Sequence, residues 1–525
     1  MKRFKNLAGK MQVVGISVLL LVAFSCTKKY EEINTDQNSV AIIGPAELPF
    51  LFSKAQSIGT NSQWNYQVAQ NLFSDQYAQY FACTATYFPS DRLFIRQDWV
   101  GAAFRPMYTD VMPQLQSIFE NTDPGSAEYA LANIWWVYVF HKVTDYWGPI
   151  PYFNAGLPGN SVPYDSQDKI YDDFLKRLAD AVNVLKSKTG ETPYGSYDLV
   201  YGGNVAKWIK FASTLRLRLA MRISKVDPPR AKTEAEAAVA DGVLTTSPDD
   251  DALIARSTKG DDGNGLSIMS DWNEFRMSAS MESVLKGYND PRMPVYFSPA
   301  KNTGTYEGLR NGLTAAQLEV NANKPDNNSH VGKRWSSPAF GGDGTHLETP
   351  QNIMPTAEAY FLRAEGALMG WNMNGTAKEL YEAGIANSLK QWGVTDNTVI
   401  TAYTNSTATP VAPNDFLNSP AMTNIPVKFG TDPDVQKEQI ATQKWLALFP
   451  DGMEGWADYR RSHVLKLYPV ANSENPDITN TTTQWIRRIT FLDSEKETNG
   501  EEVEKAVGLL GGEDKVTTPL WWDKN

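Results

Sequence analysis

Two short segments pair aromatic rings with planar polar groups. They are Tyr87-Phe88-Pro89-Ser90-Asp91-Arg92 and Asp271-Trp272-Asn273-Glu274-Phe275-Arg276. Sugar recognition uses this combination: an aromatic face covers the apolar C–H side of a pyranose or furanose ring, while carboxylate, amide or guanidinium groups satisfy vicinal hydroxyls. The candidate ligand contacts are therefore Tyr87, Phe88 and Asp91 in the first segment and Trp272, Asn273, Phe275 and Arg276 in the second, with Trp335 further along. Plain packing is the alternative role for each of these side chains. Arg363 reads instead as a structural ion-pair partner on its helix.

Catalytic patterns are missing from the sequence. It contains no His-Glu-x-x-His, Gly-x-Ser-x-Gly, Walker or Gly-x-Gly-x-x-Gly string. The four histidines, His141, His330, His346 and His463, are scattered, and their spacing gives no convergent metal set. Acidic pairs are too common in this chain to mark a glycosidase dyad, which needs two carboxylates held about 5–10 Å apart across a cleft. Asp249-Asp250-Asp251 and Asp261-Asp262-Gly263-Asn264 offer hard oxygen ligands that could hold a structural Ca²⁺, or they are solvated loops. The expectation is a binding protein with no cofactor. The alternatives are a helical-repeat scaffold that binds only protein partners and a surface glycoside hydrolase in an unfamiliar helical fold.

Helical periodicity positions these segments. Ala357, Tyr360, Phe361, Ala364, Leu368 and Trp371 fall on one helix face, and Ala377, Leu380, Tyr381, Gly384, Ile385, Ser388, Leu389 and Trp392 repeat the spacing after the turn Asn372-Met373-Asn374-Gly375. Together they predict a helical hairpin. Similar stripes run through Tyr129 to Val143, Ile170 to Leu185 and Val205 to Leu219. Paired helices of this size suggest tetratricopeptide-like stacking, although long insertions obscure a period of about 34 residues. The insertions at 247–265, 298–350 and 397–434 are rich in Gly, Pro, Asn and Asp and read as loops, where function concentrates.

Residues 1–25 read as an export signal. Lys2, Arg3, Lys5 and Lys10 precede an apolar run from Val13 to Phe24, which is too short to span a bilayer. Leu21-Val22-Ala23-Phe24-Ser25-Cys26 resembles a bacterial lipobox, so Cys26 is the expected lipidation site and two or three acyl chains would anchor the mature chain. Residues 26–45 are polar and read as a tether, and residues 46–525 as one binding domain. The formal charge of −11 becomes −15 once the four cations and no anions of residues 1–25 are removed. Such a chain has no basic stripe for nucleic acid. Cys83, the other cysteine, reads as a buried apolar residue.

An ordered set of strings resembles the SusD/RagB family, and more narrowly the SusD-like outer-membrane lipoproteins of Bacteroidetes. The set begins with Tyr30-Glu31-Glu32-Ile33-Asn34-Thr35-Asp36 and Thr144-Asp145-Tyr146-Trp147-Gly148-Pro149-Ile150-Pro151-Tyr152. It continues with Asn289-Asp290-Pro291-Arg292, Glu358-Ala359-Tyr360-Phe361-Leu362-Arg363-Ala364-Glu365 and Gln443-Lys444-Trp445-Leu446-Ala447-Leu448-Phe449. Glu454-Gly455-Trp456-Ala457-Asp458-Tyr459-Arg460-Arg461 and Trp521-Trp522-Asp523 complete it. The resemblance implies a mostly α fold with four tetratricopeptide-like hairpins and long loop insertions on the ligand side. It also implies a non-enzymatic lipoprotein on the extracellular side of the outer membrane, which captures an oligosaccharide or similar nutrient for a SusC-like TonB-dependent transporter. One departure is Lys28-Lys29, which precede Glu31-Glu32 where surface export in this group favours acidic residues. The shared tryptophans Trp147, Trp445, Trp456 and Trp521 are expected to pack the fold, leaving ligand contact to the insertions.

Overall fold

The computed structural model describes residues 43–159 and 161–524. The expected leader, Cys26 and most of the 26–45 tether lie outside the described residues. From Pro49 onward the described chain forms one compact unit. No helix among the described residues is long and apolar enough to cross a membrane.

Eight helices build four hairpins: α1 (Ala127–Trp147) with α2 (Gln167–Leu185), α3 (Val205–Arg222) with α4 (Pro228–Asp241), α5 (Thr356–Leu368) with α6 (Ala377–Gln391), and α7 (Pro433–Leu448) with α8 (Gly452–Ser462). The hairpins stack through α2 on α3, α3 on α5 and α5 on α7. This is the tetratricopeptide-like body expected from the helical stripes.

Local chemistry sets the helix ends. Ser126, Asn204, Asp227, Thr376, Asp432 and Asp451 each accept a hydrogen bond from a backbone N–H of the first turn, satisfying donors that a helix leaves open. Thr376 and Glu379 form a reciprocal capping box. α1 stops at Gly148, whose φ of +86° suits glycine, and Pro149 cannot continue the helix. Within the third hairpin Gly384 lets α6 approach α5, since a Cβ there would lie 2.8 Å from the Phe361 ring.

The family-like strings meet in buried ion networks. Arg218 and Arg222 of α3 reach Glu358 of α5, Glu454 of α8 and Asp145 of α1. Arg461 and Lys444 surround Glu365 and Asp458. Arg292 binds Asp290 within its own string and reaches Ser388 and Gln443. Trp147, Trp445 and Trp456 are buried and Trp521 half-buried, so these strings build the stack. Arg363 departs from its expected ion pair: its guanidinium donates to the carbonyls of Met373 and Asn374, closing the α5–α6 turn through backbone acceptors.

Short ladders join the insertions to this body. β1 (Phe81–Cys83), β2 (Ile150–Pro151), β3 (Tyr164–Asp165), β4 (Ala252–Ile254), β5 (Phe275–Met277) and β6 (Gln351–Met354) pair antiparallel as β1·β5, β2·β3 and β4·β6. All three expected loops contain regular structure: 247–265 holds β4, 298–350 holds the short helix Ala315–Leu318, capped by Thr314, and 397–434 opens with the helix Asn397–Thr404, capped by Asp396. Cys83 is buried in β1, where burial pushes its thiol pKa up.

Candidate functional site

The β1·β5 register brings the two aromatic segments to one place. Cys83 pairs with Phe275 and Ala82 with Arg276, and the Thr84 amide donates to the Glu274 carbonyl at 2.8 Å. The chain leaving β1 therefore leads to Tyr87 beside the chain that enters β5 from Trp272. Segments far apart in sequence become neighbours through a three-residue ladder.

Glu274 organises this junction. The Tyr87 hydroxyl donates to Glu274 Oε1, and Gln67 Nε2 donates to Glu274 Oε2 at 2.6 Å. Partial burial, followed by the Glu274 hydrogen bond and charge, pushes the Tyr87 phenol up to about 12, so it remains a donor at neutral pH. The Tyr87 side chain is still 66% exposed and Trp272 45% exposed. Rings this open have faces available to a ligand, unlike the core tryptophans.

A third ring belongs to the same neighbourhood. Trp64 is 62% exposed and lies in the turn before Gln67, whose amide N donates to the Trp64 carbonyl. Gln63 N donates to the Gly263 carbonyl, and Gly265 packs so closely on Tyr66 that a Cβ would lie 2.2 Å from it. These contacts fix the Trp64 segment against the start of the helix Gly265–Trp272.

Of the predicted contacts, the structure brings Tyr87, Trp272 and Asn273 together with their surfaces at least partly open. Asn273 caps the Gly265–Trp272 helix in a left-handed conformation, φ +60°. Five others, expected as ligand contacts, are turned inward onto partners within the protein. Asp91 is buried and accepts from Asn311 Nδ2 and from the Gly312 and Cys83 amides, and burial outweighs these bonds to raise its carboxyl to about 6. Arg276 is buried, donating to the Pro325 and Phe275 carbonyls and to Asn273 Oδ1, and burial lowers it to about 10. Phe275 packs on Phe81, Phe88 lies between Tyr87 and Trp99, and Trp335 lies against Trp392 and Phe449. Buried donors and rings need internal partners, and these five have them.

Sequence reasoning missed Trp64, Gln67 and Glu274 as site residues. Trp64 carried one signal: a tryptophan flanked by Ser62, Gln63 and Asn65. The acidic loops offered for Ca²⁺ are engaged elsewhere. Asp250 binds Lys210 and Thr245, Asp251 accepts from Ser247 and the Thr356 amide, and Asp262 binds Arg256. Among the described residues no group of three or more His, Cys, Asp or Glu is placed to hold a metal. The histidines stay apart: His346 faces Asp271, His463 faces Asp523, His141 lies beside Arg218, and His330 lies against the Ser270 carbonyl. A cleft of about 390 Å³ between Phe104, Tyr108, Pro151 and Asn499 contains none of the predicted contacts. Its Tyr108 hydroxyl is already bound to the Pro151 carbonyl.

The family model for SusD-like proteins, described as Susd and RagB outer membrane lipoprotein, matches residues 28–523. The chain belongs to the SusD/RagB family. No curated protein matches it. Among solved structures it is similar to a chitin-binding SusD homolog from Flavobacterium johnsoniae, with 36% identity and TM-score 0.81 over 91% of this chain and 99% of that one. A SusD-like protein from Bacteroides thetaiotaomicron shares 31% identity at TM-score 0.81, again over 91% and 99%. A SusD homolog from Bacteroides uniformis shares 30% identity at TM-score 0.80 with the same coverage. These likenesses span the four hairpins and the insertions together, so the aromatic junction described above sits on a SusD/RagB scaffold.

Proposed function

We propose that this chain is a non-enzymatic cell-surface lipoprotein that captures a chitin-type oligosaccharide on the Trp64, Tyr87 and Trp272 surface. It then delivers the sugar to a SusC-like TonB-dependent transporter in the outer membrane. The observation that carries this reading is the junction itself: exposed Tyr87 and Trp272 on chain segments joined by the β1·β5 ladder, with the Glu274 carboxylate bound by Tyr87 and by Gln67 from the segment that carries exposed Trp64. The Tyr87 ring, held by its hydroxyl, can cover a sugar face with little loss of side-chain entropy, a cost that weakens such contacts. The chitin-binding relative from Flavobacterium johnsoniae supports the saccharide class. A lipid on Cys26 and the polar tether to residue 45 would keep the binding body, residues 46–525, beside its barrel while letting it swing.

Calorimetry of the full-length lipoprotein in detergent, titrated with the N-acetylglucosamine hexamer, tests the ligand. Saturable heat with the sugar recovered intact is expected, and absence of binding removes the chitin class. Native detergent extraction tests delivery, with a large β-barrel expected to copurify. Extraction without a barrel leaves only the capture step.

A further inference from the structure

We propose that Glu274 sets the charge selectivity of this surface, so that it takes neutral or cationic saccharides and rejects anionic ones. The inference rests on the binding role assigned to Trp64, Tyr87 and Trp272. Its basis is the inventory of charge around those rings. Residues 63–67 and 84–88 contain no charged side chain, and residues 270–276 contain only Asp271, Glu274 and Arg276.

Of those three, Arg276 is the one cation, and it is turned inward onto the Pro325 and Phe275 carbonyls. Asp271 is bound to His346. The neighbouring cations are also committed: Arg92 to Glu474 and the Phe88 carbonyl, and Arg96 to Asp98. The turn that presents Gly263 to Gln63 carries Lys259, but also Asp261 and Asp262. Glu274 is thus a partly exposed charge between Tyr87 and Gln67, with each oxygen holding one neutral donor and retaining a free lone pair.

A glucosammonium group can share that carboxylate, and an N-acetyl or hydroxyl group can donate to it. A uronate or sulfate meets a like charge, while the Arg276, Arg92 and Arg96 guanidinium groups are engaged elsewhere. For a partly exposed pair the discrimination is about threefold to fivefold per sugar charge and fades with added salt.

The test titrates full-length protein with three hexamers of matched length: N-acetylglucosamine, glucosamine and galacturonic acid. The parent is expected to bind the first two and not the third. Glu274→Gln keeps the side-chain shape and an acceptor for Tyr87 or Gln67 while removing the charge. It should weaken the glucosamine hexamer about threefold to fivefold more than the N-acetyl hexamer at low salt, and that difference should vanish at high salt. Glu274→Asp should retain the parental preference. An unchanged preference in Glu274→Gln overturns the charge role while the binding surface stands. A parent that binds none of the three overturns the surface and the selectivity together, and Trp272→Ala, which should weaken both bound hexamers alike, separates stacking from charge.

Discussion

Arg218 and Glu358 lie side by side with both side chains about 1% exposed, joined by parallel hydrogen bonds of 2.6 and 2.7 Å. The planar guanidinium matches the carboxylate in a two-point contact that lysine could not make. One turn further along α3, Arg222 reaches Glu454 of α8 at 2.6 Å and Asp145 of α1 at 3.2 Å. α3 is thereby fastened to three of the four hairpins. Removing one member of a buried pair costs more than the pair contributes, because the survivor keeps an uncompensated charge. Arg218→Met is therefore expected to lower unfolding free energy by about 3–5 kcal/mol in urea titration, and the double variant with Glu358→Leu to recover most of that loss. A double variant less stable than the single would show that the pair itself stabilises the stack.

Asp75 gives the fold a second, pH-dependent signature. Its carboxylate is buried beneath Gly452, where a Cβ would come within 2.2 Å of it, and it accepts from the Tyr66 hydroxyl and Gln70 Nε2. Burial raises its pKa to about 7 despite those donors, against about 3.9 in an unfolded chain. Between these values the native state keeps a proton that the unfolded state has released, so stability falls as pH rises. Asp75→Asn should flatten that slope by roughly 1.4 kcal/mol per pH unit across the window. Urea midpoints measured from about pH 4 to about pH 8 provide the check, and parallel curves for parent and variant would exclude this proton. Asp458 and Glu365 do not obscure the result. Burial pushes their carboxyls up, but Lys444 and Arg461 outweigh it and hold both below the usual range. Their contribution is present above about pH 4 and is lost only below it.

The contrast between these networks and the helices shows what a single sequence reveals. The α5–α6 hairpin was legible because the spacing of Ala357, Phe361, Ala364, Leu380 and Gly384 is a local property of a 3.6-residue period. α1 was legible only in part: its stripe through Trp136 and Val143 is real, but Leu131, Ile134 and Trp135 are buried as well, so the helix packs on several sides. Which arginine meets which glutamate is decided by hairpin stacking and leaves no local trace. The same limit applies to the site. Residue type nominated Asp91 and Arg276 as ligand groups, yet the β1·β5 register fixes the direction of Arg276, and contacts with Asn311 and Gly312 bury Asp91. Trp64 and Gln67 join the site only because the chain at 63–66 packs against Gly263 and Gly265.

Gly384 tests whether that hairpin approach matters energetically. In an exposed helix, glycine to alanine gains about 1 kcal/mol from backbone entropy. Here the added methyl would meet the Phe361 ring at 2.8 Å, and Phe361 is buried without room to turn. Overpacking should win, and Gly384→Ala is expected to lose about 1–3 kcal/mol in denaturant titration. Adding Phe361→Leu should reverse the sign of the Gly384 substitution. A stabilised single Gly384→Ala variant would mean that α5 and α6 separate freely at this point.

The aromatic junction makes the sharpest functional prediction, because its three rings are held differently. Trp64 and Trp272 contribute area alone: stacking a sugar face that covers about 80 Å² of apolar surface is worth roughly 2 kcal/mol, about thirtyfold in Kd. Tyr87→Phe keeps the ring and loses only the hydroxyl that fixes it to Glu274, a hydrogen bond whose net worth of about 1 kcal/mol corresponds to roughly fivefold. Trp64→Ala and Trp272→Ala should each weaken the N-acetylglucosamine hexamer by the larger factor and Tyr87→Phe by the smaller. All three should unfold within about 0.5 kcal/mol of the parent, since the altered groups are exposed. Calorimetry and denaturant titration of the same preparations separate binding from folding. If Trp64→Ala binds like the parent while Trp272→Ala does not, the site is the β1·β5 edge alone and the segment at 63–67 serves only to hold Glu274 through Gln67.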